Sequence, residues 1–465
     1  MTEPLPHRRA ALKAGVAATM SAVSYRRAWG ANDRVGVGFI GYGLIGKRHV
    51  LDFQAQPDAQ LVAVAEAHGG RMQEAVALMN GGAAGAARGY RDFRRLLEDR
   101  DVDAVVISTP DHWHALQAIL ACAAGKDVYV EKPLTLFVRE GRWMVDAARR
   151  FNRVVQVGTQ QRSGPHYQQV RDLIRSERIG KVMSVRMASS RNIMPGFGRV
   201  PDQSPPPDLD WEMWLGPAPT HPYNPMRAIY HFRWHWDYSG GQMTNLAAHE
   251  IDIMNWCLDL KGPTSVYSVG GRFALDDGGE TPDTQDTIFE YPGLTATWSH
   301  REASSHGLRG TLIPLEIFGT KGSISLARTG FTLTPDRRLI PANVVPQFAG
   351  AHPVGGPARV ADPGTTTYWT EPASDQTGNA QDQLKRHVRD FLDCVKSRQT
   401  PLSDLESGHR VAVACHLANL SLQLGRKIRW DAEREEIIGD PEAAKRLVRP
   451  YRAPWDQELR ALGIG

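Results

Sequence analysis

The stretch "VGVGFIGYGLIGKRHV", residues 35–50, decides the fold class. It opens as an apolar strand and passes without a spacer into a helix, with Gly41, Gly43 and Gly46 at the turn in GxGxxG spacing. The spacing alone is weak. Between a strand and a helix, however, each glycine has a mechanical job. Gly41 permits the tight turn, Gly43 lets the backbone approach a pyrophosphate, and Gly46 brings helix and strand together. Leu44 and Ile45 begin the helix, whose N-terminus offers partial positive charge to an anion. Glu66 ends the next strand, twenty-five residues after Gly41, where a carboxylate hydrogen-bonds a ribose 2′-hydroxyl and repels a 2′-phosphate. That favours NAD over NADP, with Arg71 near enough to keep NADP as the lesser option. The alternative is a glycine turn that binds nothing.

Outward from this turn, apolar runs ("LVAVAE", "AVVIS", "DVYVE", "VVQVG") alternate with helical stretches such as "DFRRLLED" and "DHWHALQAILACAAG" up to about residue 160. Strands apolar throughout and separated by helices imply a parallel sheet covered on both faces. Asp92 and Asp111 stand where helix N-caps belong, and Gly125 where a C′ glycine belongs. Beyond residue 164 the texture changes. "VMSVRMASS" alternates like a half-solvated strand, and a long proline- and tryptophan-rich loop reads as a functional or covering element. Later strands read as an antiparallel sheet, closed by helices over residues 380–397 and 404–424. The expected fold is α/β: a Rossmann domain over 32–160, then an α+β domain with an open, mainly antiparallel sheet over 161–430. An ordered extension follows over 431–465.

Two or three domains fit 465 residues, and 42% hydrophobic with 23% charged residues is ordinary for a globular protein. Lys and Arg number 55 against 51 Asp and Glu, an excess too small and dispersed to argue for nucleic acid. Cys122, Cys257, Cys394 and Cys415 are far apart in apolar runs and read as small core residues that leave the redox compartment open. At the amino terminus, Arg8 and Arg9 precede a short Ala-rich stretch, resembling a bacterial twin-arginine export signal over residues 1–31. The stretch is too short for a permanent span, so no membrane insertion is expected. The expected location is periplasmic or exported. A disordered basic tail on a cytoplasmic protein is the alternative.

"VYVEKPLT", residues 128–135, carries Lys132 to the end of an apolar strand, where packing gives it no reason to be. In a doubly wound sheet ligands sit beyond the carboxyl ends of the strands, so Lys132 would face the nicotinamide half of a dinucleotide, bordered by "STPDHWH", residues 108–114. The alternative is an ion pair with Glu131. With "TPDHWHA", "EKPLT", "VGTQQRS", "LDWEMWLGPAP" and "WDYSGGQMTNLAAHEIDIMNWCL", the chain from residue 34 onward resembles the Gfo/Idh/MocA oxidoreductases, the group of glucose–fructose oxidoreductase and inositol dehydrogenase. The resemblance implies that Lys132 lies beside the nicotinamide and the substrate hydroxyl. It also implies Thr109, Pro110, His112, Glu131 and Gln160 around the cofactor, Arg162 at the substrate, and a homo-oligomer. An ammonium there stabilises a developing alkoxide and relays its proton.

On the helix expected after Gly241, Asn245, His249 and Asp252 are four and three apart and share a face. The family pattern has a carboxylate four residues before a histidine; here Asn245 replaces it and Ala247 replaces a glycine. An amide orients a hydroxyl but takes no proton, leaving Lys132 and His249 as the proton carriers. A packed His249 and a capping Asn245 are the bland alternatives. Metal chemistry is not expected, since His112 and His114 do not share a helical face. Tyr223 and His235, among the aromatics of the long loop, are candidates for the substrate, or are plain packing.

These readings lead to an NAD-dependent oxidoreductase acting on a secondary hydroxyl of a sugar, sugar derivative or cyclitol. An NAD-dependent glycosidase working by transient C3 oxidation and elimination is the alternative, although its glycine-rich, histidine-bearing loop is not found here. A non-catalytic NAD- or sugar-binding protein is the third reading.

Overall fold

The computed structural model describes residues 34–82, 86–306, 314–338 and 367–464. The amino-terminal segment read as an export signal or tail lies outside them.

Strands β1 (Val35–Ile40), β2 (Ala59–Ala65), β3 (Arg88–Tyr90), β4 (Ala104–Ile107), β5 (Asp127–Val130) and β6 (Val155–Val157) form one sheet in the order β3-β2-β1-β4-β5-β6. All neighbours are parallel, the doubly wound arrangement. The apolar runs have a physical cause: both faces are buried. Phe39, Val106 and Tyr129 point into one core, Ile40, Ile107 and Val130 into the other. Each such side chain contributes ~1.5–3 kcal/mol on burial. Helix Ala380–Ser397, distant in sequence, belongs to this packing. Its Phe391 meets Phe53 and Tyr129 edge-on at 6.2 and 5.8 Å. Asp92 caps its helix by accepting from the Arg94 amide, and Gly125 takes φ +79° just past the Asp111–Ala123 helix. Asp111 departs from its expected capping place: it is the first helical residue, after the cap Pro110.

Among the described residues, the second sheet has ten strands. They are β7 (Val182–Ser190), β8 (Ser265–Gly271), β9 (Thr284–Tyr291), β10 (Leu294–Arg301), β11 (Leu315–Gly319), β12 (Gly322–Ala327), β13 (Gly330–Pro335), β14 (Ala373–Asp375), β15 (Ile428–Asp431) and β16 (Glu436–Ile437). Their order is β14-β13-β12-β11-β7-β10-β9-β8-β15-β16, antiparallel except for the β7–β10 pair. Helices Pro165–Arg175, Ala248–Leu258 and Leu405–Leu424 cover one face, and Tyr267, Val269 and Ile288 stand exposed on the other. Among the described residues, no helix is long and apolar enough to cross a membrane.

Candidate active site

Every strand of the first sheet, β1 to β6, ends in a loop that reaches one cavity of about 250 Å³, with Arg91 lining it after β3. Gly41, Gly43, Leu44 and Ile45 line it after β1, Glu66 after β2, Thr109 and Pro110 after β4, Glu131 and Lys132 after β5, and Gln160 after β6. The covering wall comes from the long loop and the second domain: Trp214, Ile229, Tyr230, Arg233 and Asn245. Ile229 holds φ +60°, a costly conformation for a β-branched residue, at the rim of this wall.

The glycine turn fits a dinucleotide. Gly41 has φ +89°, which a side chain would resist. A Cβ on Gly46 would meet the Gly41 carbonyl oxygen at 2.5 Å, whereas a Cβ on Gly43 would meet nothing within 4 Å. Nothing among the described residues therefore requires Gly43 to be small, and the open space beside it suits a pyrophosphate. Gln160 Oε1 and Ser108 Oγ, buried and lining the cavity, lack hydrogen-bond partners among the described residues. Glu66 accepts the Tyr42 amide at 2.7 Å and the His68 amide at 3.0 Å, which fixes its carboxylate with acceptor capacity to spare for a ribose. Gly43→Ala is expected to keep the melting temperature while weakening NAD about 10- to 100-fold in a fluorescence titration. Gly46→Ala should unfold the turn.

Glu131 does not pair with the Lys132 amine. Its carboxylate reaches back to His49 Nε2 at 2.7 Å and accepts the Lys132 amide at 3.0 Å. The Lys132 amine crosses to the second domain and donates to both the backbone oxygen and the Oδ1 of Asn245, at 2.7 and 2.9 Å. Burial pulls its pKa down to about 8, helped by the nearby Arg233 charge and opposed by Glu131.

Asn245 is itself held. Its Oδ1 faces Lys132, so its amide nitrogen donates to Gln242 Oε1 at 2.9 Å, and Gln242 in turn donates to Glu302 at 2.6 Å. Trp234 Nε1 closes the chain on the other Glu302 oxygen at 2.7 Å. The donor at each end permits one orientation of both amides. A π-helical turn, Met243–Ala247, carries Asn245 into this position ahead of helix Ala248–Leu258.

Several expected site residues lie elsewhere. Gly46 packs the turn rather than lining the cavity. His112 contacts the Trp214 carbonyl at 3.1 Å and stacks obliquely on Trp214 and Tyr238. Burial takes its pKa to about 3, and it does not line the cavity. Its neighbour His114 does, bridging the Thr109 and Pro133 carbonyls at 2.8 and 2.7 Å. Arg162 is committed to a buried fork with Asp252 at 2.7 and 2.8 Å. Tyr223 packs edge-on against Trp211, and His235 lies between the Met226 carbonyl and Glu280. His249 is buried outside the cavity lining, with no partner for Nδ1 among the described residues. Burial first, then the Lys132 and Arg328 charges, hold it well below its ordinary pKa, hence neutral. Two lining residues go beyond the sequence expectation: Asp111, expected only as a cap at the border of the site, and Arg233, for which no role is expected. Asp111, buried and accepting Ser239 Oγ at 2.6 Å, latches the two domains. "DHWH" hinted at that edge of the site, but nothing local marks Arg233.

Two family models match the chain: "Oxidoreductase family, NAD-binding Rossmann fold" over residues 35–159 and "Oxidoreductase family, C-terminal alpha/beta domain" over 166–270 and 370–457. The myo-inositol 2-dehydrogenase of Thermotoga maritima is 23% identical over 407 residues, covering 87% of this chain and 99% of that protein. The levoglucosan dehydrogenase of Pseudarthrobacter phenanthrenivorans is 28% identical over 320 residues, 63% and 73% of the two chains. The solved structure of a levoglucosan dehydrogenase complex with NADH and levoglucosan superposes with a TM-score of 0.62 at 20% identity, covering 85% of this chain and 99% of that one. That last likeness is one of fold.

Proposed function

This chain belongs to the Gfo/Idh/MocA oxidoreductase family, and from that premise we propose that it oxidises a secondary hydroxyl of a sugar, sugar derivative or cyclitol, with Lys132 as the base. The observation that carries this is the double contact of the Lys132 amine with Asn245 at the cavity wall. A neutral amine has two N–H bonds and one lone pair. With both N–H bonds directed at the Asn245 oxygens, the lone pair is free to accept a proton from a hydroxyl in the cavity. NAD, when bound, supplies the hydride acceptor. Gly41, Gly43 and Glu66 would hold it at the pyrophosphate and ribose, and Gln160 and Thr109 would border its other half.

Asn245 in place of a carboxylate now has a chemical reason. A carboxylate would hold the ammonium by charge and raise its pKa, whereas the amide orients the amine and leaves it titrating at about 8. The sign follows. Below that pH the amine is protonated and cannot accept, so kcat/KM for alcohol oxidation should rise as pH passes about 8 and level off above it. Ketone reduction, which needs the protonated form, should fall over the same range. Asn245→Asp should move both limbs to higher pH; stopped assays across the range, with ionic strength held constant, check this.

The reading is tested by following NADH formation with a panel of hexoses, sugar acids, inositols and aryl glycosides. Net NADH with a free polyol is expected. Release of an aglycone without net cofactor change would replace the reading with glycoside cleavage, and tight NAD binding with neither outcome would leave a binding protein.

A further inference from the structure

We propose that the substrate is an anionic polyol, a sugar acid whose carboxylate is bound by Arg233. The inference rests on reading the cavity as a polyol-oxidising site and adds the charge of the molecule that enters it. Arg233 stands on the covering wall and lines the cavity together with Lys132 and Asn245. Its guanidinium lies over the Phe232 and Tyr230 rings, with 4.5 and 5.1 Å to the centroids, and its Nη1 donates to the Tyr230 carbonyl at 3.0 Å. These contacts hold the plane of the group. They leave Nε and Nη2, the parallel pair that matches a carboxylate fork, without a partner among the described residues.

No acid of the cavity neutralises it. Glu66 is held by the Tyr42 and His68 amides at the ribose end, Glu131 by His49, and Asp111 by Ser239. Asp111 is the nearest of them in effect, and burial raises its own pKa, which weakens it as a counter-ion. Arg233 forms no ion pair among the described residues, and its charge also bears on Lys132. An unpaired guanidinium in a partly desolvated cleft is costly unless a ligand supplies the anion. A planar carboxylate suits the single free fork. A phosphate dianion would call for further donors, and Lys132 is already turned to Asn245. Binding through the carboxylate would seat the carbon chain between Arg233 and Lys132, presenting a hydroxyl to the amine.

The experiment compares D-gluconate and D-glucuronate with D-glucose and myo-inositol, both as substrates by NADH formation and as ligands of the NAD-loaded protein by calorimetry. A sugar acid is expected to exceed its neutral counterpart at least 10-fold in kcat/KM, and Arg233→Gln to raise the KM for the acid about 10- to 100-fold and erase the preference. Arg233→Lys, which keeps charge but loses the fork, should restore part of it. Equal use of acid and neutral sugar, or a loss in Arg233→Gln shared equally by both, would overturn the assignment. So would a variant whose defect lies in NAD affinity, because that would move Arg233 to the cofactor. If acids bind the wild type and not Arg233→Gln, yet no NADH forms, the anion site stands and the redox reading falls. If acids fail to bind while neutral sugars are oxidised, the redox reading stands and this inference falls.

Discussion

Lys132→Met should lower kcat by about 10³-fold or more while NAD still binds, because one substitution removes both the proton acceptor and the cation that steadies a developing alkoxide. Methionine keeps the unbranched stem and most of the volume, so β5 and its loop have no reason to rearrange. The change does remove the lysine donor that both Asn245 oxygens share, at a cost of about 1–3 kcal/mol in stability. That cost is why turnover must be read beside a binding measurement. A variant that binds NAD normally and forms NADH only at the residual rate separates chemistry from folding. Single-turnover kinetics with saturating cofactor make the comparison clean, since slow product release cannot then hide the chemical step. Turnover within about tenfold of wild type, below the usual range for losing an acid–base group, would remove Lys132 from the mechanism. Lys132→Arg is the companion: it keeps a charge but cannot give up its proton, so it should bind and fail.

What could be read from the chain follows the range of the interactions. The Rossmann sheet was legible because its signals are local: apolar runs at strand length, a glycine turn of fixed spacing, and an acid at the end of β2. Lys132 was legible because a strand-terminal lysine has no packing excuse. The second wall was less so. Counting Asn245, His249 and Asp252 onto one face assumes 3.6 residues per turn, and the π-turn Met243–Ala247 breaks that assumption. Asn245 reaches Lys132 and Asp252 reaches Arg162, while His249 is buried outside the cavity lining. His112 and His114 illustrate the same limit at shorter range. Both are buried in one helix turn, but which ring meets the cavity depends on where Trp214, a hundred residues on, presents its carbonyl. Residue type alone points to Tyr223 and His235, whereas the loop uses its aromatics to pack on itself. Glu302 and Arg233 lacked any local mark, because their importance is created by partners far away in the chain.

The largest stability effect is expected at one of those displaced residues. Asp252→Ala should cost about 3–5 kcal/mol, since it leaves the Arg162 guanidinium charged, buried and without its carboxylate. Side-chain exposure of the pair is 2% and 1%, so water cannot take over. Arg162 would retain the Leu402 carbonyl at 3.0 Å and the Trp256 ring at 5.7 Å, neither of which neutralises a charge. The pair itself is no proof of net stabilisation, because burying both charges costs about as much as their attraction returns. Replacing both at once, Arg162→Met with Asp252→Leu, should therefore be close to neutral, and a urea titration of the two variants distinguishes a broken pair from a lost contact. The pair also joins the turn after β6 to the helix that follows Asn245, so the single variant should loosen the grip on Lys132. Activity measured well below the melting temperature should then fall by less than the stability loss alone suggests, and the alkaline limb of the pH profile should broaden rather than vanish. A single variant as stable as the double would mean that Arg162 finds another anion, and the buried fork would lose its claim to hold the turn after β6 against the helix that follows Asn245.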